Sequence, residues 1–470
     1  MRRDAPQAEP GCFVMSANPP NVFLTGSIPR TFARTALPIV LLTSLNGVLT
    51  VVDAILLGAL VGPEAIAAVT LVFPISMLLI ALATAVSTGM ASILGRLLGA
   101  GRDADARRVF AGAHGIALCI GAASAAIFAL VGWPLVNLAA GGSHSIATMG
   151  YHFLSISIFT SPALFLLSLH SDALRTEGRI GFMAVAGVCV ALANVVLNYG
   201  FIVWLGLGVA GSAMGTAIAQ LLALMLIVHY RVSGRARLTL SLKDLRDCRH
   251  GWGEILALGA PRSLTFIGIS LAAAATIYAL GTVGAAHFEQ EVAAYGIVTR
   301  IVSLAFFPLL GMSLALQALV GNNAGAGLWQ RSNDSLKLSL WASLAYSAVV
   351  EVVLIGFRHE VSRLFTADLE VLAAVDRIIP VFLALYFTFG PMMMIASYFQ
   401  SLGDVRRSAI LALSRTYLFA LPMIFLLPGF MGEIGIWIAS PVADVMLVIV
   451  AIVTLRGLSG QRRWGLFQPA

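Results

Sequence analysis

Twelve long apolar runs, separated by short polar turns, decide what this chain can become. A helix needs roughly 20 apolar residues to cross the hydrocarbon core of a bilayer. The runs cover residues 31–61, 66–98, 106–138, 147–174, 180–204 and 209–232 in the first half, and 253–283, 290–322, 334–357, 372–400, 407–428 and 433–456 in the second. Several exceed the required length, which implies tilted or protruding helices. Segments of about ten residues with alternating polarity would mark a transmembrane barrel, and the sequence has none. Charged residues are 11% of the chain, against about 25% in soluble domains. The expected fold class is an all-α polytopic membrane protein with twelve transmembrane helices.

Lysine and arginine set the orientation. Arg102, Arg107 and Arg108 follow span 2; Arg175 and Arg179 follow span 4; Arg231, Arg235, Arg237, Lys243, Arg246 and Arg249 follow span 6; Arg331 follows span 8; Arg406 and Arg407 follow span 10. The loops after spans 1, 3, 5, 7 and 11 have none, and only Arg358 and Arg363 after span 9 break the pattern. Positive residues stay in the cytoplasm, so both termini, themselves basic, are expected there. The net charge of +7 is therefore a topology signal, and no nucleic-acid partner is expected. The four cysteines, Cys12, Cys119, Cys189 and Cys248, have no metal or disulfide spacing. Met1–Ser27 lacks the apolar core of a signal peptide and reads as a tail.

The two halves repeat. Gly99-Ala-Gly101, preceded by Ala65-Ile-Ala-Ala68, matches Gly325-Ala-Gly327, preceded by Glu291-Val-Ala-Ala294, and Leu57-Gly58 matches Leu280-Gly281 at nearly the same offset. Gly178 matches Gly403, and Gly208 with Gly211 matches Gly432 with Gly435. An offset of six helices preserves topology, so the repeat is parallel, and substrate sites are expected between such halves. The expected division is a tail at 1–30, a first lobe at 31–232, a basic linker at 233–252, a second lobe at 253–456 and a tail at 457–470.

Asp53 is the only acid in the run 31–61. An ionisable group at membrane depth costs at least about 2.5–3.5 kcal/mol and is functional by default. Asp53 lies about eight residues from the outer end of span 1; Asn194 and Asn198 lie about ten and six residues from that of span 5, and Thr216 about seven from that of span 6. At ~1.5 Å per residue all four sit roughly 10–15 Å below the outer surface. Asn194 and Asn198 are i,i+4 neighbours on one face. Hard oxygen ligands at one depth suit a small cation or a proton held in a hydrogen-bonded network. The alternative is interhelical glue, an ordinary role for Asn and Thr in membranes.

The second half has no acid corresponding to Asp53; span 7 offers Thr265, Thr276 and Tyr278, and Asp172, Glu351, Asp376 and Asp444 lie in or near other spans. Arg300 and Arg415 are intramembrane cations in need of a carbonyl or acid partner, and read as structural or gating groups, with contact to substrate as the alternative. Met392-Met-Met394 and the phenylalanines of span 10 either line an adaptable pocket or simply pack. His114, His144, His152, His170 and His287 have no ligand spacing, and no nucleophile elbow or phosphate loop is present. Gly206-Leu-Gly-Val-Ala-Gly211 joins two spans, follows no strand, and reads as a tight turn.

With these residues in place, the chain resembles the multidrug and toxic compound extrusion (MATE) transporters, bacterial type, over nearly its whole length after the tail. The segments that carry the resemblance are Asp53-Ala-Ile-Leu-Leu-Gly58, Gly99-Ala-Gly101, Leu174-Arg-Thr-Glu-Gly178, Asn194-Val-Val-Leu-Asn-Tyr199 with Gly206–Ala213, Gly311–Asn323, and Arg415 with Pro422, Gly435-Ile-Trp437 and Pro441–Asp444. The resemblance implies a V-shaped pair of six-helix lobes that exports drug-like, often cationic organic compounds against a proton or sodium gradient. It implies a bacterial cytoplasmic membrane, membrane lipid as surroundings and no cofactor beyond the coupling ion; the oligomeric state stays open, a monomer being compatible with the sequence. The family's coupling residues fall on Asp53, Asn194, Asn198 and Thr216, which would also form any sodium site. Some relatives have aspartate at the position of Asn198. Others use acids in spans 7 and 10, where this chain reads Thr265-Phe-Ile-Gly268 and Phe387-Thr-Phe-Gly390. Coupling through the first lobe alone is therefore expected. The alternative is a lipid-linked precursor flippase of the same wider superfamily, which calls for a cationic cavity and often more than twelve spans. A passive channel would not need Asp53, and an enzyme would need a catalytic constellation that is missing.

Overall fold

The computed structural model describes residues 21–141, 143–239, 247–283 and 288–456. Residues 1–20 of the expected first tail, the expected tail at 457–470, Lys243 and Arg246 of the expected linker, and His287 lie outside the described residues, and Cys12 with them. Among the described residues there is no strand. Spans 1, 2 and 3 are Ile28–Leu60, Pro63–Gly99 and Asp103–Ala139. Span 4 is a pair, His144–Phe159 and Ser161–Thr176, bent by 48°. Span 5, Ile180–Tyr199, ends in a π-helical turn, Gly200–Trp204, and span 6 is Gly208–Val232. Spans 7, 8 and 9 are Trp252–Val283, Phe288–Gly325 and Trp329–Gly356. Span 10 is a second bent pair, Leu369–Phe382 and Tyr386–Leu402, at 52°. Span 11 runs from Val405 to Met431 with a π segment at Ser414–Ala420, and span 12 is Glu433–Arg456. Every span end falls within five residues of its sequence expectation.

Local chemistry explains the ends. Gly101 (φ 72°) closes span 2, where the Arg102 amide donates to the Leu97 carbonyl at 2.8 Å. Gly327 (φ 74°) closes span 8 in the same way, with Leu328 donating to Asn323 at 2.8 Å. A left-handed glycine after the last turn, with a six-to-one hydrogen bond across it, is a helix stop that other residues make poorly. Gly178 and Gly403 close spans 4 and 10 by the same device, so the repeat seen in sequence reaches the backbone. The two bends have different origins. In span 4 Pro162, which has no amide hydrogen to donate, begins the second segment. In span 10 Leu385 is left-handed (φ 75°), and the Phe387 amide beyond it donates to Glu351 Oε2 at 2.7 Å.

The halves meet about a local two-fold relation: span 1 packs on span 8 and span 2 on span 7, while spans 2 and 8 cross. Glycine permits the crossing. A Cβ on Gly95 would lie 3.3 Å from Gly321 Cα, and one on Gly321 would lie 3.3 Å from Gly95 Cα. Likewise a Cβ on Gly99 would lie 2.8 Å from Asn322 Cα, and one on Gly325 2.8 Å from Arg96 Cα. Polar ties surround this crossing at the end bearing the basic loops. Arg96 reaches Glu254 at 2.9 Å and the Leu402 carbonyl at 3.0 Å, and Gln317 donates to the Thr88 carbonyl at 3.2 Å. Residues 21–27, part of the expected tail, also pack here: Phe23 is fully buried, and Asn21 donates to Asn322 at 2.7 Å. Away from that end, Thr43 Oγ1 of span 1 donates to the Phe307 carbonyl of span 8 at 2.9 Å, beside the contact of Gly47 with the Phe307 ring.

Candidate functional site

Span 1 packs against span 5, and span 5 against span 6. Asp53, Asn198, Asn194 and Thr216 consequently form one hydrogen-bonded chain. Asn198 Nδ2 donates to Asp53 Oδ1 at 2.9 Å and, more weakly, to Asn194 Oδ1 at 3.4 Å. Asn194 Nδ2 in turn donates to Thr216 Oγ1 at 3.0 Å. Asn198 is almost fully buried, and its Oδ1 has no hydrogen-bond partner among the described residues. A buried acceptor without a donor costs about 1–3 kcal/mol, so this oxygen is suited to receive a cation or a proton donor. The chain therefore joins a carboxylate, two amides and a hydroxyl, with one buried acceptor unpaired.

Two further features hold this site, and sequence reasoning found neither. Gly215 faces Asn198: a Cβ there would overlap Asn198 Oδ1 and lie 2.8 Å from the Asn198 backbone nitrogen. The π turn at Gly200–Trp204 begins two residues after Asn198, and such turns are frequent at functional sites. Gly208–Ala213 does form the start of span 6, after a turn with Gly206 (φ 63°) and Gly208 (φ 55°).

In the second half Arg415 lies in the π segment of span 11 and makes a two-pronged pair with Asp444, at 2.6 and 3.2 Å, plus a hydrogen bond to Ser440 at 3.2 Å. Its guanidinium also lies 5.3 Å from the centre of the Phe389 ring. Arg300 is different. It is exposed, and no hydrogen bond or ion pair holds it among the described residues. Met394 is fully buried in the core, with Met392 and Met393 packed against that core, so packing accounts for this run. Thr265 and Thr276 bond back to their own helix.

Three arginines have duties beyond those read from sequence. Arg175, counted above as a loop charge, is buried: it pairs with Asp172 at 3.0 Å and crosses to span 8, donating to the Leu314 carbonyl at 2.6 Å and to Gln317 at 3.0 Å. Arg231 is likewise buried, on Glu177 at 2.6 Å. Arg262 of span 7 donates to Ser313 at 2.7 Å. A helix end buried against another element satisfies its arginine on carbonyls and acids instead of water. His114 and His170, 56 positions apart, meet at 3.2 Å through their Nε2 atoms. Among the described residues no three His, Cys, Asp or Glu side chains gather as a metal site.

Comparison with known proteins agrees with this architecture. The MatE family profile matches residues 38–200 and again 261–426. The two matches begin 223 residues apart and end 226 apart, the spacing of the internal repeat. An FAD transporter of Shewanella oneidensis is 26% identical over 91% of this chain and 94% of its own length. The multidrug export protein MepA of Staphylococcus haemolyticus is 23% identical over 92% and 94%. Among solved structures, the MATE multidrug transporter DinF-BH superposes with a TM-score of 0.84 at 29% identity, covering 94% of this chain and 98% of that one. An outward-facing MATE family transporter of the MOP superfamily gives 0.85 at 24% identity, over 95% and 99%, a likeness of fold. Twelve spans in two repeated halves, each half matched separately by one profile, lead to one conclusion: the chain belongs to the MatE family of multidrug and toxin extrusion transporters.

Proposed function

We propose that the protein is a cation-coupled antiporter that exports drug-like organic compounds by alternating access, with Asp53, Asn194, Asn198 and Thr216 as its coupling site. The observation that carries this reading is the hydrogen-bonded chain that includes the unpaired Asn198 Oδ1. A proton taken by Asp53, or a sodium ion shared among these oxygens, changes which partners Asn198 can keep. That alters the packing of spans 1, 5 and 6, which is the lever an antiporter requires. The multidrug names of MepA and of DinF-BH support the substrate class, and the relative named for FAD adds FAD as a second compound to test. In this reading, with the basic loops in the cytoplasm, the glycine crossing closes the cytoplasmic side and the substrate path between the halves opens toward the outside. One charge moved through 100 mV is worth about 2.3 kcal/mol, enough for roughly 50-fold accumulation.

The test is uptake of the cationic dye rhodamine 6G into everted vesicles under imposed proton or sodium gradients. Wild type should accumulate dye under one of them, and Asp53→Asn, which keeps the shape and removes the charge, should not. Equal accumulation by both proteins would reduce the site to structural glue. No uptake by the wild type under either gradient would overturn the antiport reading.

A further inference from the structure

The charges at membrane depth are unevenly satisfied. Arg175 has Asp172, Arg415 has Asp444, and Glu351 receives the Phe387 amide. Arg262 donates to the Ser313 hydroxyl within reach of the Asp172 charge, whereas Arg300 has no partner among the described residues. A cation left bare at this depth is expensive and marks a pathway or a ligand.

Its position on span 8 says which. Ala293, Gly296, Arg300, Ser303 and Phe307 recur at intervals of three and four and form one stripe. Phe307 at the lower end of that stripe touches Gly47 of span 1, so the stripe faces the other half of the protein. Its small and polar side chains, with Arg300 and Ser303 exposed, line a wall between the halves and not a lipid contact. From Phe307, Arg300 is seven residues, about 10 Å, toward the outer end. From Gly47, Asp53 is six residues, about 9 Å, in the same direction. The two groups thus flank the cleft at one level, the acid turned to its own half through Asn198 and the arginine bare. Nearly two turns below Arg300, aromatic rings gather: Phe306 lies 6.5 Å from Phe266, 6.3 Å from Phe307 and 6.2 Å from Phe389, centre to centre.

We infer that Arg300 is an anion-binding residue of the substrate cleft, and that the cleft accepts aromatic organic anions, planar rings bearing a carboxylate, sulfonate or phosphate. The guanidinium takes the anionic group in a two-pronged hydrogen bond, as it does no cation, while the ring stacks on the phenylalanines below. The inference rests on the antiport reading only for direction of transport; binding is measured without it.

Fluorescein and rhodamine 6G share a ring system and differ in charge. Their binding to the full-length protein, purified in a neutral detergent, is followed by fluorescence anisotropy. A charge-assisted hydrogen bond carries about 1.5–3 kcal/mol, so Arg300→Ala should weaken fluorescein at least tenfold. Rhodamine 6G should bind the variant as well as the wild type or better, and Arg300→Lys should retain part of the fluorescein affinity. Equal fluorescein binding by wild type and Arg300→Ala overturns the inference. So does parallel loss of both dyes in a variant that melts like the wild type, which would move Arg300 to the conformational machinery. Displacement of fluorescein by dodecyl phosphate more readily than by 2-naphthoate would assign the residue to lipid-like anions and overturn the aromatic part. Failure of dye uptake in vesicles, with binding intact, would refute antiport and leave this assignment standing.

Discussion

Gly215→Ala adds one methyl group at a place where none fits. The new Cβ would overlap Asn198 Oδ1 and stand 2.8 Å from the Asn198 backbone nitrogen. The backbone of span 5 is held by its own ladder, so the Asn198 side chain is what gives way. It then abandons the 2.9 Å hydrogen bond to Asp53 Oδ1. A hydrogen bond to a charged group is worth about 1.5–3 kcal/mol, which is roughly ten- to a hundredfold in an equilibrium constant. Overpacking adds about 1–3 kcal/mol of general destabilisation, so a control is needed. Gly181→Ala serves, because nothing lies within 4 Å of its added Cβ and it sits at the start of span 5, the span of Asn198. There a helical alanine gains up to about 1 kcal/mol over glycine. Initial rates of rhodamine 6G uptake, at a driving-ion gradient set below saturation, should fall at least tenfold in Gly215→Ala and stay unchanged in Gly181→Ala. Wild-type rates in Gly215→Ala, with the ion dependence also unmoved, would refute the claim that Asn198 couples Asp53 to transport.

Breaking the buried Arg415–Asp444 pair from one side, by Arg415→Met or Asp444→Asn, should cost about 3–5 kcal/mol and lower the melting temperature, while the double change to Met and Leu should recover most of it. Gly95→Leu drives a side chain into Gly321 Cα; it should destabilise by at least about 1–3 kcal/mol and slow transport, because the halves can no longer close at that end. Leu385 holds a left-handed backbone that costs a non-glycine residue about 1–3 kcal/mol. Leu385→Gly should therefore leave the melting temperature level or raised, whereas Leu383→Ala, at a nearly fully buried neighbour, should lower stability by about 2–5 kcal/mol.

Hydropathy locates spans well because the bilayer imposes one length on every helix, and all twelve were legible to within a turn and a half. It does not see direction. The bends at Thr160 and at Leu383–Leu385 leave the apolar run unbroken, and the second comes from a left-handed leucine that no sequence rule expects. Depth alone brought Asp53, Asn194, Asn198 and Thr216 to one level, because rise per residue is nearly constant; that they share a single hydrogen-bonded chain depends on the rotation of three helices. Gly215 was one glycine among 45, and its meaning lies entirely in what faces it. Arg175 and Arg231 sit where positive-inside charges sit, so sequence could not tell a solvated loop arginine from one that crosses to another helix.

At the glycine crossing, Gly95 meets Gly321, and Gly99 and Gly325 each meet the backbone of the helix opposite, in a relation that maps each half onto the other. That is the arrangement of an isologous dimer interface, in which one patch is complementary to itself. Each half therefore carries a surface able to recognise a second copy of the same half. Self-pairing is the competing assembly. It is opposed by the polar ties that only unlike halves make, such as Arg96 to Glu254, and by the covalent link from span 6 to span 7, which keeps the unlike partner at an effective concentration of the order of millimolar. The connection serves as a sorting device during assembly, and it protects an asymmetry on which the proposed coupling rests: a pair of first halves would hold two copies of Asp53 and no Arg300.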